Sequence, residues 1–299
     1  MASSTSEALT MQVEAYAKVN WSLDITGTRE DGYHLMDMLM QPVSLADEIT
    51  LTPSEDLSIS SGGYPPVRAD HANLAYRAAE ALKKNTGFSG GASVHVHKRI
   101  PVGAGLGGGS ADAAGVLLGL NSLWNLHLSL NDLCQIGLSL GADVPFCLHG
   151  GLTRTRGIGE LMEPIPLHVN YWLVLIQPCR GLNTGEVFKA WSAEKTVLHP
   201  DTDNAVLALQ SGNLPLFCSS IGNVLQPVSL RLRPEIASAI EALKASGAAQ
   251  ALMTGSGSAV FGIFRSRKSA ASSYAVCSRK WRNVFLCHSQ SDSIRIQSD

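Results

Sequence analysis

The sequence predicts an α+β protein of two domains. Three observations carry that expectation. Alternating runs rich in Val, Ile and Thr stand in blocks apart from Ala/Leu-rich runs with helical spacing. The chain has 299 residues, of which 45% are hydrophobic and 16% charged, enough apolar material for sizeable cores. The pattern also changes near "MEPIPLHVN" (162–170), where two prolines lie between strand-like runs. The expected division is therefore 1–163 and 164–299. No tandem repeat is visible.

In chain order, "MQVEAYAKVN" and "WSLDITG" read as strand segments by alternation and β-branched content. "TREDGYH" is a turn around Asp31-Gly32. "LMDMLMQPVSL" and "DEITLTP" read as two more strand runs joined by a short polar turn. Residues 71–84 have helical spacing, and "GASVHVHKRI" alternates again. Helices are expected over 110–124 and over "SLNDLCQIGLSLG", stopping at Gly141. In the second half, "YWLVLIQP" is a buried strand. "TGEVFKAW", "DNAVLALQSG" and "LRPEIASAIEALKASG" are helices. "AQALMTGSGSAVFGIF" is strand, glycine loop, strand. A last helix, the strand "NVFLC" and a polar tail close the chain.

The formal net charge is −2 and there is no dense Lys/Arg stripe, which argues against a nucleic-acid partner. Arg279, Lys280 and Arg282 form a short basic patch that reads as a solvated helix end. The six cysteines make no CxxC pair, and so long a chain has no need of a disulfide framework; a reducing cytoplasm is expected. "MASSTSEALT" has no basic segment or apolar h-region, so neither a secretory signal nor a transit peptide is expected. No apolar run is long enough to span a membrane.

The most informative stretch is "PVGAGLGGGSADAAG" (101–115). Residues 103–109 hold five glycines in seven positions, between a strand-like and a helix-like run. The letters satisfy G-x-G-x-x-G, but the preceding strand, Ser93 to Lys98, alternates. A dinucleotide-binding first strand is instead a continuous apolar run. Asp132, at the expected spacing for a ribose contact, falls at a helix start. No G-x-x-x-x-G-K-[ST] occurs. Two readings remain. In the first, bare backbone N–H groups converge on phosphates, helped by the dipole of the following helix, with Ser110 capping that helix or binding a phosphate oxygen or Mg²⁺. In the second, the glycines allow tight helix–strand packing.

Four motifs carry a family resemblance: "PVGAGLGGGSA", "YAKVNWSLDITGTREDGYH", "LGADVPFCLHGG" and "MTGSGSAVFGIF". In order and spacing they resemble the GHMP kinases, the superfamily of galactokinase, homoserine kinase and mevalonate kinase, from about residue 13 to about residue 287. The resemblance implies a two-domain GHMP kinase fold. Its N-terminal domain would be ribosomal-protein-S5-like and bind ATP; its C-terminal domain would be a ferredoxin-like α/β-plait contributing to the substrate cleft. It also implies use of ATP with Mg²⁺. The implied reaction is phosphorylation of the 2-hydroxyl of a CDP-linked methylerythritol in non-mevalonate isoprenoid synthesis. The sequence departs from the wider pattern at Gly108-Gly109-Ser110, where two serines are common, and at Ser258-Ala259, where Pro-Thr is common. A GHMP kinase for another alcohol, or a nucleotide-binding regulator that has lost catalysis, are the alternatives.

Residue by residue, the resemblance makes Lys18 and Asp143 catalytic, with Asp143 the general base. By pattern alone Lys18 is equally a solvent-facing strand lysine, and Asp143 an N-cap before Val144-Pro145. The phosphate loop would comprise Pro101, Val102, Gly103, Ala104, Gly105, Leu106, Gly107, Gly108, Gly109, Ser110 and Ala111. Asn73, also a good helix-start residue, would contact adenine. Asn20 would bind substrate. Tyr33, His34 and Phe188 would hold cytosine, with Thr184 supplying a hydroxyl; packing on a turn (Tyr33) and helix core (Phe188) are the plain readings. Gly255 and Ser256, in the loop 254–258, would line the substrate's diphosphate or close over the γ-phosphate, unless that loop is only a connection between strands. His95 and His97 share a strand face, but no third metal ligand is evident.

Overall fold

The computed structural model describes residues 10–64, 66–166, 169–192 and 198–298. Residues 1–9, read above for targeting signals, lie outside this set. The first sheet holds β1 (Met11–Thr28), β2 (His34–Ser54), β3 (Ser58–Gly63), β4 (Gly91–Lys98), β5 (Leu152–Gly157) and β6 (Leu161–Ile165). It also takes the last strand, β11 (Ile294–Ser298), in the order β11-β1-β2-β4-β3, with β5 bridging β2 and β6. All pairs are antiparallel except β3 with β4. The helices of this half are α1 (Leu74–Thr86), α2 (Gly108–Leu123), α3 (Leu130–Leu140) and α4 (Val144–His149). Asn73 caps α1, and Ser129 with Asp132 forms a capping box on α3.

The second sheet contains β7 (Trp172–Gln177), β8 (Gln250–Met253), β9 (Val260–Phe264) and β10 (Asn283–His288), antiparallel in the order β10-β7-β9-β8. Its helices are α5 (Thr184–Trp191), α6 (Thr202–Ser211), α7 (Leu214–Ser220), α8 (Gln226–Leu232), α9 (Glu235–Ala245) and α10 (Arg267–Cys277). No helix among the described residues is long and apolar enough to cross a membrane.

Four features differ from the sequence reading. The polar turn expected between "LMDMLMQPVSL" and "DEITLTP" is a bulge within one 21-residue strand, because Tyr16 pairs with Ala46 but Lys18 with Pro42. The polar tail ends in β11, which pairs with β1 from Ala15 to Met11. Helices α7 and α8 are seven residues each, too short for a periodic signal, although each carries Pro in its first turn. Strand β3 was not anticipated, since Ser and Gly fill most of it.

The bulges decide what β1 presents. Val13 and Ala15 pack in the core beneath α1 and α2. Between the register shifts at Tyr16/Lys18 and Asn20/Ser22, Ala17, Val19 and Trp21 instead pack in the core shared with the second sheet. Trp21 there meets Tyr171, Phe217 and Phe261 edge to face, and its indole N–H donates to Gln41 at 2.8 Å. Lys18 and Asn20, on the other side of this stretch, are left facing the cleft between the halves. Leu23 and Ile25 return to the first core.

A buried ionic cluster fixes the approach to the glycine loop. The Lys98 ammonium at the end of β4 bonds Asp47 of β2 and, at 2.6 Å, Asp112 of α2. The second Asp47 oxygen accepts from the backbone N–H groups of Arg99 (2.6 Å) and Ile100 (2.8 Å), which orients the chain entering Pro101. Burial works against the ammonium, but the two carboxylates outweigh it and hold the Lys98 pKa above the usual lysine value. Burial dominates at Asp112 and pushes its carboxyl up to about 8, against the pull of Lys98. The folded state therefore keeps a proton that the unfolded chain loses near its ordinary carboxyl pKa. Stability attached to this group is greatest in acid and falls as pH rises toward about 8. Urea unfolding of wild type and Asp112→Asn at about pH 5 and about pH 8 is expected to show the variant gaining on wild type by about 1 kcal/mol or more at the higher pH. An unchanged difference would place the proton elsewhere.

Candidate active site

The glycine loop is pinned before it meets any ligand. The Lys18 N–H donates to the Leu106 carbonyl at 2.9 Å and the Ala259 N–H to the Ala104 carbonyl at 3.0 Å, so the loop is stitched to both halves. Gly105 (φ +80°) and Gly107 (φ +71°) stand in the left-handed region that side-chain-bearing residues rarely adopt. A Cβ on Gly105 would collide with the Thr254 carbonyl oxygen; one on Gly107 would stand 2.9 Å from Lys18 Cγ. The packing reading of the glycines is therefore met at these two positions and at Gly108, where a Cβ would stand 2.9 Å from Ile100 Cγ2. Helix α2 begins at Gly108, two residues earlier than expected. Gly107 is its N-cap residue, so Ser110 lies inside the first turn and does not cap.

Lys18 is only 4% exposed, which removes the solvent-facing reading. Its ammonium donates to Asn20 Oδ1 at 2.7 Å and lies 3.4 Å from Asp143 Oδ2. Asp143 occupies the N-cap position of α4, yet its side chain makes no capping bond. About a third of it is exposed, so the carboxylate is held by Lys18 on one side and open to the cleft on the other. The Asn20 N–H donates to Thr254 Oγ1 at 2.9 Å, and that hydroxyl lies 3.3 Å from both Asn20 Oδ1 and the Gly105 carbonyl oxygen. Asn223 braces the same loop by donating to the Met253 (2.9 Å) and Gly255 (2.8 Å) carbonyls. The Ser229 hydroxyl donates to the Ser256 carbonyl at 3.1 Å.

Two cavities meet here. The larger, about 650 Å³, is lined by residues 101–110, Asn73, Lys98 and Asp112. Ala111, placed beside them in sequence, is fully buried in α2. The smaller, about 310 Å³, is lined by Lys18, Asn20, Asp143, Phe188, Gly255 and Ser256, with Met36, Met38 and Leu225 on its apolar side. Gly105, Gly107, Ser110 and Thr184 line both. The Thr184 hydroxyl lies 2.9 Å from that of Ser256. Asn73 meets its helix-start reading, capping α1 by accepting from the Ala75 N–H at 2.9 Å, and it also lines the larger cavity.

The aromatic group is only partly gathered. His34 stacks on Phe188 (centroids 5.4 Å apart, planes at 17°) and meets Trp191 edge-on. Its Nε2 lies 3.1 Å from the Ser192 hydroxyl. Tyr33 is 63% exposed, with the Arg29 guanidinium 6.0 Å from its ring. His95 pairs with the Ser60 hydroxyl at 2.8 Å. Sequence reading missed Thr254, Asn223 and the Lys98 cluster. The motif around Thr254 was visible, but its side-chain role depends on a partner 234 positions away.

A glycine loop opening a helix, a lysine–aspartate pair beside it and a second glycine loop closing over both, on this two-sheet frame, define a GHMP-type small-molecule kinase. Residues 73–151 match the GHMP kinases N terminal domain and residues 205–283 the GHMP kinases C terminal domain. A 4-diphosphocytidyl-2-C-methyl-D-erythritol kinase of Alkaliphilus metalliredigens (strain QYMF) is 40% identical over 284 residues, covering 94% of this chain and 97% of that protein. The crystal structure of a 4-(cytidine 5'-diphospho)-2C-methyl-D-erythritol kinase superposes with TM-score 0.81 at 34% identity, covering 94% of this chain and 99% of the other. A homoserine kinase from Cytophaga hutchinsonii shares the fold, with TM-score 0.78 at 18% identity over 99% of this chain and 100% of its own. The chain belongs to the 4-diphosphocytidyl-2-C-methyl-D-erythritol kinase family.

Thr254 tests whether the second glycine loop positions the first strand's polar pair. Thr254→Val leaves the Asn20 N–H without its acceptor, a loss of about 1–3 kcal/mol in a buried site. The expected result is a kcat lower by about tenfold or more, with Thr254→Ser restoring most of it. Steady-state kinetics on both variants decide this; equal kcat in wild type and Thr254→Val would remove Thr254 from the network.

Proposed function

We propose that this enzyme transfers the γ-phosphoryl group of ATP to the 2-hydroxyl of 4-diphosphocytidyl-2-C-methyl-D-erythritol, a step of non-mevalonate isoprenoid precursor synthesis. The observation that carries the reading is the meeting of the two cavities across Gly105, Gly107 and Ser110, with Lys18 and Asp143 opening onto the smaller. The nucleotide takes the larger cavity, its phosphates against the loop 103–109 and the start of α2, its base toward Asn73. The substrate alcohol takes the smaller one.

Asp143 accepts the proton of the 2-hydroxyl as that oxygen bonds to the γ-phosphorus and the bond from the γ-phosphorus to the bridging oxygen of ADP breaks. Lys18, pinned by Asn20, holds the Asp143 carboxylate in place and offsets charge on the incoming oxygen. Mg²⁺ would enter with the nucleotide, held by its phosphates, and Ser110, which lines both cavities, would offer it a hydroxyl oxygen. When bound, it supplies neutralisation of phosphate charge. Phe188 and His34 bear on the cytosine, Tyr33 covers it from the exposed turn, and Thr184, Gly255 and Ser256 bear on the diphosphate.

We place the division of the chain at 163/164, with β11 returning to the first sheet, and the enzyme in the cytoplasm on the strength of its six unpaired cysteines.

Two variants test the assignment. Asp143→Asn keeps the shape of the side chain but cannot take the proton; kcat in a coupled ADP-release assay is expected to fall by about 10²-fold or more with ATP binding retained. Near-normal turnover would dismiss Asp143 as base. Phe188→Ala removes one stacking face, worth about 1–3 kcal/mol, so the KM for the cytidine substrate is expected to rise by about 5- to 150-fold while that for ATP stays within twofold. A KM unchanged for both substrates would make Phe188 a packing residue.

A further inference from the structure

A third cavity, about 560 Å³, lies on the outer side of the glycine loop and belongs to neither site above. It shares Val102 with the nucleotide cavity but is built mainly from the second half of the chain. Arg180, Lys280 and Arg282 line it, and no Asp or Glu does. All three are exposed, and none is in an ion pair among the described residues. In a chain of net charge −2, three unneutralised cations around one concavity concentrate positive potential there.

The basic patch read from sequence as a solvated helix end is exposed, as expected, and lines this cavity. Helix α10 stops at Cys277, and Lys280 and Arg282 follow it in the turn leading to β10. Their side chains are set on aromatic rings. The Arg282 guanidinium lies 4.4 Å from the Tyr64 centroid and the Lys280 ammonium 4.5 Å from that of Trp281. A stacked guanidinium keeps its N–H edges free to bind an anion while its freedom is reduced beforehand. Tyr64 and Val102, 52% and 48% exposed, add apolar surface to the same wall.

This wall is tied to the nucleotide loop. The Gln177 side chain donates to the Val102 carbonyl at 3.3 Å and accepts from Asn283 at 2.9 Å, next to Arg282. Gly181, beside Arg180, approaches Gly103 so closely that a Cβ would collide with the Gly103 carbonyl oxygen. The cations thus have a fixed frame.

We propose that this cavity is a second anion site, which binds a small molecule carrying a diphosphate while the nucleotide loop is occupied. Arg282 and Arg180 supply planar donors to its oxygens and Lys280 a point charge.

The probe is inorganic pyrophosphate in magnesium-free buffer, titrated calorimetrically into the full chain with and without saturating ADP. ADP affinity is measured in the same series, so failure of the nucleotide assignment is seen separately. Pyrophosphate is expected to bind the ADP-saturated protein. Arg282→Gln is expected to weaken that binding by about tenfold, the loss of one charge-assisted contact, with ADP affinity within twofold of wild type. Arg180→Gln is the second variant, should the first not fold, and carries the same expectation. Loss of all pyrophosphate binding on ADP saturation would overturn the proposal by returning the anion to the nucleotide loop. So would binding unaffected by the variant, or none at millimolar pyrophosphate.

Discussion

The molecule turns on one close approach, that of the glycine loop of the first half to the glycine loop of the second. Gly105 lies so near the Thr254 carbonyl that no side chain fits between them. From that contact the Thr254 hydroxyl reaches Asn20, and Asn20 reaches Lys18. Moving either half relative to the other would pull directly on the ammonium that holds Asp143. The halves carry separate sheets, yet the centre of the site belongs to neither alone.

Two lysines show how burial sorts similar groups into different work. Lys98 is enclosed with two carboxylates, and the cluster serves to fix where β4 ends and the loop begins. An interior cluster of this kind is costly to break and adds little net stability, since desolvation consumes most of the Coulomb gain. Lys18 is as deeply buried, but its carboxylate partner is a third exposed. That asymmetry lets the pair face a substrate: the cation is held rigidly, and the acid keeps an open side.

Much of the fold was legible because periodicity is local. Helix α3 carries its own stop at Gly141 and its own capping residues, Ser129 and Asp132. Strand β4 alternates because Val94 and Val96 face the core while His95 and His97 do not. The candidate site was legible in so far as its motifs are contiguous: the glycine loop was found by pattern, and Lys18, Asn20 and Asp143 by resemblance. What could not be read were relations across distance. Asp47 read only as the start of a strand run, yet it is a buried partner of Lys98. Residues 294–298 looked like a tail, yet they complete the first sheet.

By itself the sequence determined the α+β class, most helices and strands, and the residue types at the site, because backbone conformation, alternation and glycine tolerance act within a few positions. Only the tertiary structure decided which way those residues face. Two register shifts in β1 turn Ala17, Val19 and Trp21 toward the second core and so leave Lys18 and Asn20 to the cleft. Opposite Ala17 alone β2 runs three residues, Val43 to Leu45, and Trp21 falls between the adjacent partners Met40 and Leu39, so a bulge bounds each end of this stretch. Whether it forms depends on how the paired strands and the second sheet pack together, and no single stretch of the chain contains that information.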